Sequence, residues 1–266
     1  MIIGQQILQQ YVEGINLDNM AHSLILSGKR GCGKHLFANQ IAQKLNLKVV
    51  DITNNLNFDY LSTEVFGNPI PTVYLIDIDK CDTRKQNTVL KTLEEPQAGA
   101  FFILLTVNKD SLIPTILNRC VCKEFTPYSM EELTQFAAAN NLKVNKFAET
   151  PGQLVSLSGW DESHIEQFAE KILTKIGVAS IPNLLTISDK VAFKHEQDKL
   201  EPKVLCKALR NIAHAKSMEE GAHKCYFDAL LEIGKMQEYL ETPNLNYKQL
   251  WDNFLLHLHT VLEVLK

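Results

Sequence analysis

The stretch SLILSGKRGCGKHLFANQIAQKL, residues 23–45, constrains the fold of this chain more than any other segment. A short apolar run ends at Ser27. Gly28, Gly31, Gly33 and Lys34 then complete G-x-x-x-x-G-K, and Leu36, Phe37, Ile41 and Leu45 follow at roughly helical spacing. Glycines let backbone N–H groups turn toward a phosphate, the start of the helix adds its dipole, and Lys34 adds a point charge. KVVDI, TVYLIDI (72–78) and AFFILLT (100–106) supply three further strand-like runs, each continuously apolar as parallel strands buried on both faces are. The expectation is an α/β domain with a parallel sheet flanked by helices.

Between the last two runs, DTRKQNTVLKTLEEP reads as a helix capped by Asp82 and closed by Pro96. From Pro127 onward the strand-like runs stop. SMEELTQFAAANN, PGQLVSLSG and DESHIEQFAEKILTKI read as a small helical unit, and longer amphipathic helices such as EPKVLCKALRNIAHAK and YKQLWDNFLLHLHTVLEVLK follow. Three domains are expected, over residues 1–127, 128–178 and 179–266, and a chain of 266 residues that is 45% hydrophobic can bury cores for them.

The formal net charge of -4 excludes a strongly basic surface, so contact with nucleic acid would come from local patches or from partner proteins. The six cysteines lack the paired spacing of a zinc site, and Cys120-x-Cys122 offers only two ligands. No apolar run approaches ~18 residues and the start carries no basic-apolar signal, so a cytoplasmic protein without membrane contact and with free thiols is expected.

Two departures weaken the chemistry that the phosphate loop announces. His35 stands where a Mg²⁺-dependent enzyme of this kind has the metal-binding hydroxyl, and imidazole is a poor donor for an ion that prefers oxygen. Asp77 ends an apolar strand as a metal-holding acid would, but Ile78 follows it in place of glutamate, and Asp79 would point to the other side of an extended strand. Hydrolysis is expected to be impaired even where binding survives. The remaining polar residues have plain readings: His22, His257 and His259 as ordinary helix-surface or core histidines, Cys32 as a small residue that fits, Phe101, Phe102, Trp251 and Phe254 as core, and Glu94-Glu95 as a helix end.

Taken in order, IIGQQ, the phosphate loop and its helix, QNTVLKTLEEP, and LIPTILNRC resemble the clamp-loader AAA+ ATPases, and among them the delta-prime subunits of bacterial DNA polymerase III. The resemblance covers residues 1–178 and, thinly, LNYKQLWDNFLLHL near the end. It implies an AAA+ P-loop module followed by a small helical lid and an all-α collar that drives oligomerisation. It places Ile3 and Gly4 beside the adenine, and Gly28, Gly31, Gly33, Lys34, His35 and Asp77 around the phosphates. Thr106 becomes the polar residue sensing the γ-phosphate, and Arg119 a finger acting in trans on a neighbour's ATP. Where the lid often carries a second sensing arginine, this reading finds Gln153; residues 46–70 hold no cysteine, so no zinc is expected.

The implied partners are the other subunits of a hetero-oligomeric loader ring and, through the complex, the sliding clamp and primer-template DNA. ATP or ADP held without hydrolysis, with Mg²⁺ poorly retained, is the implied cofactor state. An ATP-hydrolysing motor subunit, gamma- or tau-like, is the alternative, against which His35, Ile78 and Gln153 argue. A small P-loop phosphotransferase would leave the C-terminal helices unexplained. Deletion of residues 183–266 is expected to leave a soluble module that no longer assembles.

Overall fold

The computed structural model describes residues 3–56, 65, 68, 70–95, 97–192, 200–220, 223–240 and 246–263, and for 189–192 the backbone alone. Pro96, read from the sequence as the close of a helix, lies outside them. The chain forms two compact units, Met1–Asn141 with Thr150–Gly152, and Leu142–Glu149 with Gln153–Lys266.

The first unit is built on a five-stranded parallel sheet in the order β2-β3-β4-β1-β5. Its strands are β1 (Ser23–Ser27), β2 (Lys48–Asp51), β3 (Thr72–Asp77), β4 (Ala100–Thr106) and β5 (Val121–Glu124). Around them lie α1 (Gln6–Gly14), α2 (Lys34–Lys44), α3 (Thr83–Glu94), the single turn α4 (Pro114–Leu117) and α5 (Met130–Ala139). The apolar runs are continuous because successive residues feed opposite faces. Leu24, Leu26, Val73, Leu75, Ile103 and Leu105 join Phe37, Ala38 and Ile41 of α2 in one layer. Ile25, Tyr74, Ile76, Phe102 and Leu104 join Val89 and Leu93 of α3 in the other. At roughly 1.5–3 kcal/mol per large side chain, burial on both faces is the main source of this unit's stability. The edge strands β2 and β5 have exposed ends, where charged Lys48, Asp51 and Glu124 oppose further pairing.

Register aligns the strand ends. Ser27 lies beside Thr106 and Glu124, and Asp77 beside Leu105, so the ends of β1, β3 and β4 form one edge of the sheet. Clefts at the carboxyl edge of a parallel sheet are where such folds bind ligands.

The second unit is helical: α6 (Pro151–Ser156) enters it from Gln153, and α7 (Glu162–Val178), α8 (Ile181–Ala192), α9 (Pro202–Ser217), α10 (Cys225–Tyr239) and α11 (Tyr247–Leu262) form its body. Helix α7 buries Ile165, Ala169, Ile172, Leu173 and Ile176, one stripe at helical spacing, against α9 and α11. Trp251, Phe254, Leu255 and Leu258 form the matching stripe of α11. His259 is buried there, its Nδ1 2.6 Å from the carbonyl of Ile176. No described helix is long and apolar enough to cross a membrane.

Candidate phosphate-binding site

Gly28 leaves the end of β1 with its N–H donated to the carbonyl of Thr106 at 3.1 Å. A Cβ there would lie 2.7 Å from that of Phe125, so the close packing of strand, loop and β5 requires glycine. Gly31 and Gly33 have φ of 78° and 104°, the left-handed region that favours glycine. Helix α2 begins at Lys34, with Gly33 as its N-cap.

Every carbonyl of the loop has a partner. Lys34 Nζ donates to the carbonyls of Gly28 and Lys29, the latter at 3.2 Å. The hydroxyl of Thr150 donates to Arg30 O at 3.0 Å, the N–H of Gly152 to Gly31 O at 2.9 Å, and the hydroxyl of Tyr128 to Cys32 O at 2.7 Å. Phe37 N–H takes Gly33 O within the helix. A trans peptide sets its C=O and the next N–H in opposite directions, so each anchored carbonyl aims the following amide away from its anchor. This is the form of an anion-binding nest, and the residues present fit a nucleotide's phosphates.

The electrostatics of Lys34 balance burial against acid. Burial lowers its ammonium below the ordinary lysine value, while the charges of Cys32, Asp79 and Asp77 oppose that shift. Burial raises the thiol of Cys32, so this cysteine is a small packed residue rather than a reactive one.

Asp79 corrects the sequence reading. Strand β3 stops at Asp77 and Ile78–Lys80 is a 3₁₀ turn, so the alternation of an extended strand does not reach Asp79. Its carboxylate accepts the Thr106 hydroxyl at 2.6 Å and the Val107 N–H at 2.7 Å, on the phosphate-loop edge of the sheet. Thr106 is fully buried, and its hydroxyl lies 2.6 Å from Asp79 Oδ1 and 3.0 Å from the carbonyl of Asn108. Asp77 pairs with Lys80 at 2.8 Å. Ile78 is fully buried among the apolar residues beneath the sheet, so the position of the missing glutamate is used for packing.

His35 is exposed on the first turn of α2 and brings no oxygen ligand to the loop. With that imidazole in place and Asp77 paired, the donor set does not suit Mg²⁺. Gly4 has φ of 68° and faces the side chain of Glu132, while its neighbour Gln5 exchanges hydrogen bonds with the backbone of Thr126; Ile3 is half-buried. This fixes the N-terminal segment against the start of α5.

Of the segment ETPGQL, Thr150 and Gly152 meet the loop. A Cβ at Gly152 would sit 2.6 Å from Gly31 Cα, whereas Gln153 accepts the N–H of Glu149 at 2.8 Å. Tyr128, Thr150 and Asp79 complete the set of site residues that the sequence reading did not assign. The Pro-Gly pair at 151–152 was the one available signal; nothing marked Tyr128.

Arg119 is not among these groups. It precedes β5, whose Val121 lies beside Leu24, so β5's length, about 13 Å at the usual strand rise, separates it from its own phosphate loop. Its guanidinium pairs with Glu94 at 2.6 Å and donates to Thr115 O at 2.9 Å. Glu94 therefore has a specific partner that its reading as a plain helix end did not include.

A parallel sheet with a glycine loop after β1, an acid at the end of β3 and a polar residue at the end of β4, followed in the chain by a helical unit, defines a P-loop module of the AAA+ kind. A RuvB variant of Thermotoga maritima shares the fold, with a TM-score of 0.50 and 15% identity over 99% of this chain and 88% of that one. A family described as DNA polymerase III, delta subunit, matches residues 59–129. The gamma subunit of DNA polymerase III from Buchnera aphidicola subsp. Acyrthosiphon pisum is 28% identical over 169 residues, covering 51% of this chain and 47% of that protein. The replication factor C small subunit of Methanococcus maripaludis is 22% identical over 275 residues, covering 93% and 83%. By sequence the chain is similar to clamp-loader AAA+ proteins, and its match spans about half the length of the gamma subunit.

Proposed function

We propose that the chain is a delta-prime-like subunit of the DNA polymerase III clamp loader. In this reading it works in the cytoplasm within a hetero-oligomeric ring of AAA+ modules that loads a sliding clamp onto primed DNA. It donates Arg119 to the ATP site of a neighbouring subunit and hydrolyses little or no ATP itself. ATP or ADP rests in its own loop, supplying negative charge that the loop amides and Lys34 neutralise, and Mg²⁺ is poorly held. The helices of residues 179–266 act as the collar.

The observation that carries this reading is the separation of Arg119 from its own phosphate loop by the length of the sheet edge. An arginine there cannot serve its own nucleotide, yet it stands at the head of an edge strand from which a long side chain can reach across a boundary. The Glu94 partner does not lock it. Both side chains are about half-exposed, and such pairs contribute no more than ~1 kcal/mol. A phosphate group, more highly charged and able to bind guanidinium in two places, competes well against one carboxylate.

The motor-subunit reading is favoured by the gamma-subunit relatives and by the intact Lys34 and Asp77. The two separate in steady-state turnover by the isolated chain: robust hydrolysis abolished by Lys34→Ala would establish the motor. For the delta-prime-like reading, Arg119→Ala and Arg119→Lys should leave assembly intact and lower DNA- and clamp-stimulated turnover of the reconstituted loader, with clamp loading falling further. Fingers supplied in trans can be worth ~10³ at the site they serve, so one affected site among several gives a partial loss in total turnover. Unchanged loading and turnover with Arg119→Ala would rule out the finger.

A further inference from the structure

We propose that Tyr128, Thr150 and Gly152 are positioning residues for nucleotide binding: by holding three successive loop carbonyls, those of Arg30, Gly31 and Cys32, they set the loop amides toward the phosphates of a nucleoside diphosphate. The inference rests on the reading that this loop holds a nucleotide, and adds what prepares it to do so.

With Arg30 O bound by the Thr150 hydroxyl, Gly31 O by the Gly152 N–H and Cys32 O by the Tyr128 hydroxyl, the N–H groups of Gly31, Cys32 and Gly33 point the other way. Cys32 N–H closes a turn on Lys29 O at 3.2 Å, which leaves those of Gly31 and Gly33, on the two left-handed residues, to face an anion. A glycine-rich loop without such anchors samples many orientations, and binding must then supply the ordering entropy.

Each anchor is suited to its place. Gly152 approaches so closely that its Cα side lies against the Gly31 backbone, where a Cβ would stand 2.6 Å from Gly31 Cα and 3.1 Å from its carbonyl oxygen. Neither contact is with a flexible side chain that could move aside. Tyr128 is packed against the apolar layer that contains Phe37 and Phe125, so its hydroxyl is presented from a fixed ring. Burial also raises its pKa, so it remains a donor throughout the physiological range. Thr150 brings a branched side chain with few rotamers. None of the three needs to touch the nucleotide.

The test is a fluorescence titration of the full chain with the N-methylanthraniloyl derivative of ADP, without added Mg²⁺, alongside thermal unfolding of each nucleotide-free variant. Removing one anchoring hydroxyl, as in Thr150→Val or Tyr128→Phe, should weaken binding about threefold to tenfold, the usual worth of one hydrogen bond. Thr150→Ser, which keeps the hydroxyl, should bind as the wild type does. Gly152→Ala should lose more than either, and where it fails to fold the threonine pair still decides. Wild-type affinity in Thr150→Val, Tyr128→Phe and Gly152→Ala alike would overturn the positioning role while leaving the nucleotide reading standing. Equal losses in Thr150→Val and Thr150→Ser would also overturn it, because packing rather than the hydroxyl would then be responsible. A wild-type chain that does not bind the probe at all would sink the nucleotide reading, and this inference with it.

Discussion

Lys34 shows how a motif residue acquires its behaviour from its surroundings. The sequence supplies the ammonium; burial beside the loop disfavours its charge, and Asp79 and Asp77 partly restore it. Because its value in the folded chain is depressed, the folded chain binds fewer protons than the unfolded one between that value and the ordinary 10.5. This residue's contribution to stability therefore rises with pH across that interval, and its burial cost is fully present only below it. The stability difference between wild type and Lys34→Met, followed by urea denaturation, should move in favour of the wild type as pH is raised toward 10.5; a pH-independent gap would show that the buried charge is not the source of the cost. Lys34 and the glycines were legible from spacing alone. Asp79 was not, because the 3₁₀ turn Ile78–Lys80 cancels the alternation that an extended strand would have carried to it.

Elements were legible wherever one physical preference dominated. The runs SLILS, TVYLID and AFFILLT are strands because their unbroken apolarity satisfies only a position buried on both faces, and the structure sets them side by side as β1, β3 and β4. The start of α3 was marked by Asp82, whose carboxylate accepts the N–H of Lys85 at 2.8 Å. This cap gives a two-variant test. Asp82→Ala should destabilise the chain by about 1 kcal/mol, whereas Asp82→Gly, which removes the same carboxylate but suits the cap's backbone, should cost only a few tenths. Equal losses in chemical denaturation would mean that the carboxylate's bond alone, and not the fit of the cap's backbone, carries the contribution. Helix α5, read from the sequence with the lid, packs within the first unit, where Glu132 both completes a capping box with Ser129 and faces Gly4. A capping box is visible in SMEE, but the partner of its outer face is set by a residue about 130 positions earlier, which local pattern cannot reveal.

In the whole molecule, the helical unit changes what a truncation should do. The expectation that a chain ending near residue 182 is a soluble module meets α7, whose apolar stripe is covered by α9 and α11. Removing residues 183–266 uncovers Ile165, Ile172, Leu173 and Ile176, each worth roughly 1.5–3 kcal/mol of burial. The shortened chain should be cut rapidly within 162–178 by limited proteolysis or aggregate, while the intact chain resists; equal resistance would show that α7 is stable without its neighbours. The sequence by itself determined the local chemistry: a phosphate loop between strand and helix, a missing hydroxyl at His35, an apolar residue at Ile78, and a helical C-terminal part. These depend on residue types at short spacing, and short spacing is what periodicity and motif register. Only the tertiary structure decided that Thr150, Gly152 and Tyr128 anchor the loop, that Asp79 accepts a hydrogen bond from Thr106, and that Glu94 pairs with Arg119. Those contacts join positions 25 to 121 residues apart, and it is the tertiary fold, with the register of the parallel sheet and the packing of its two layers, that brings them within hydrogen-bond reach.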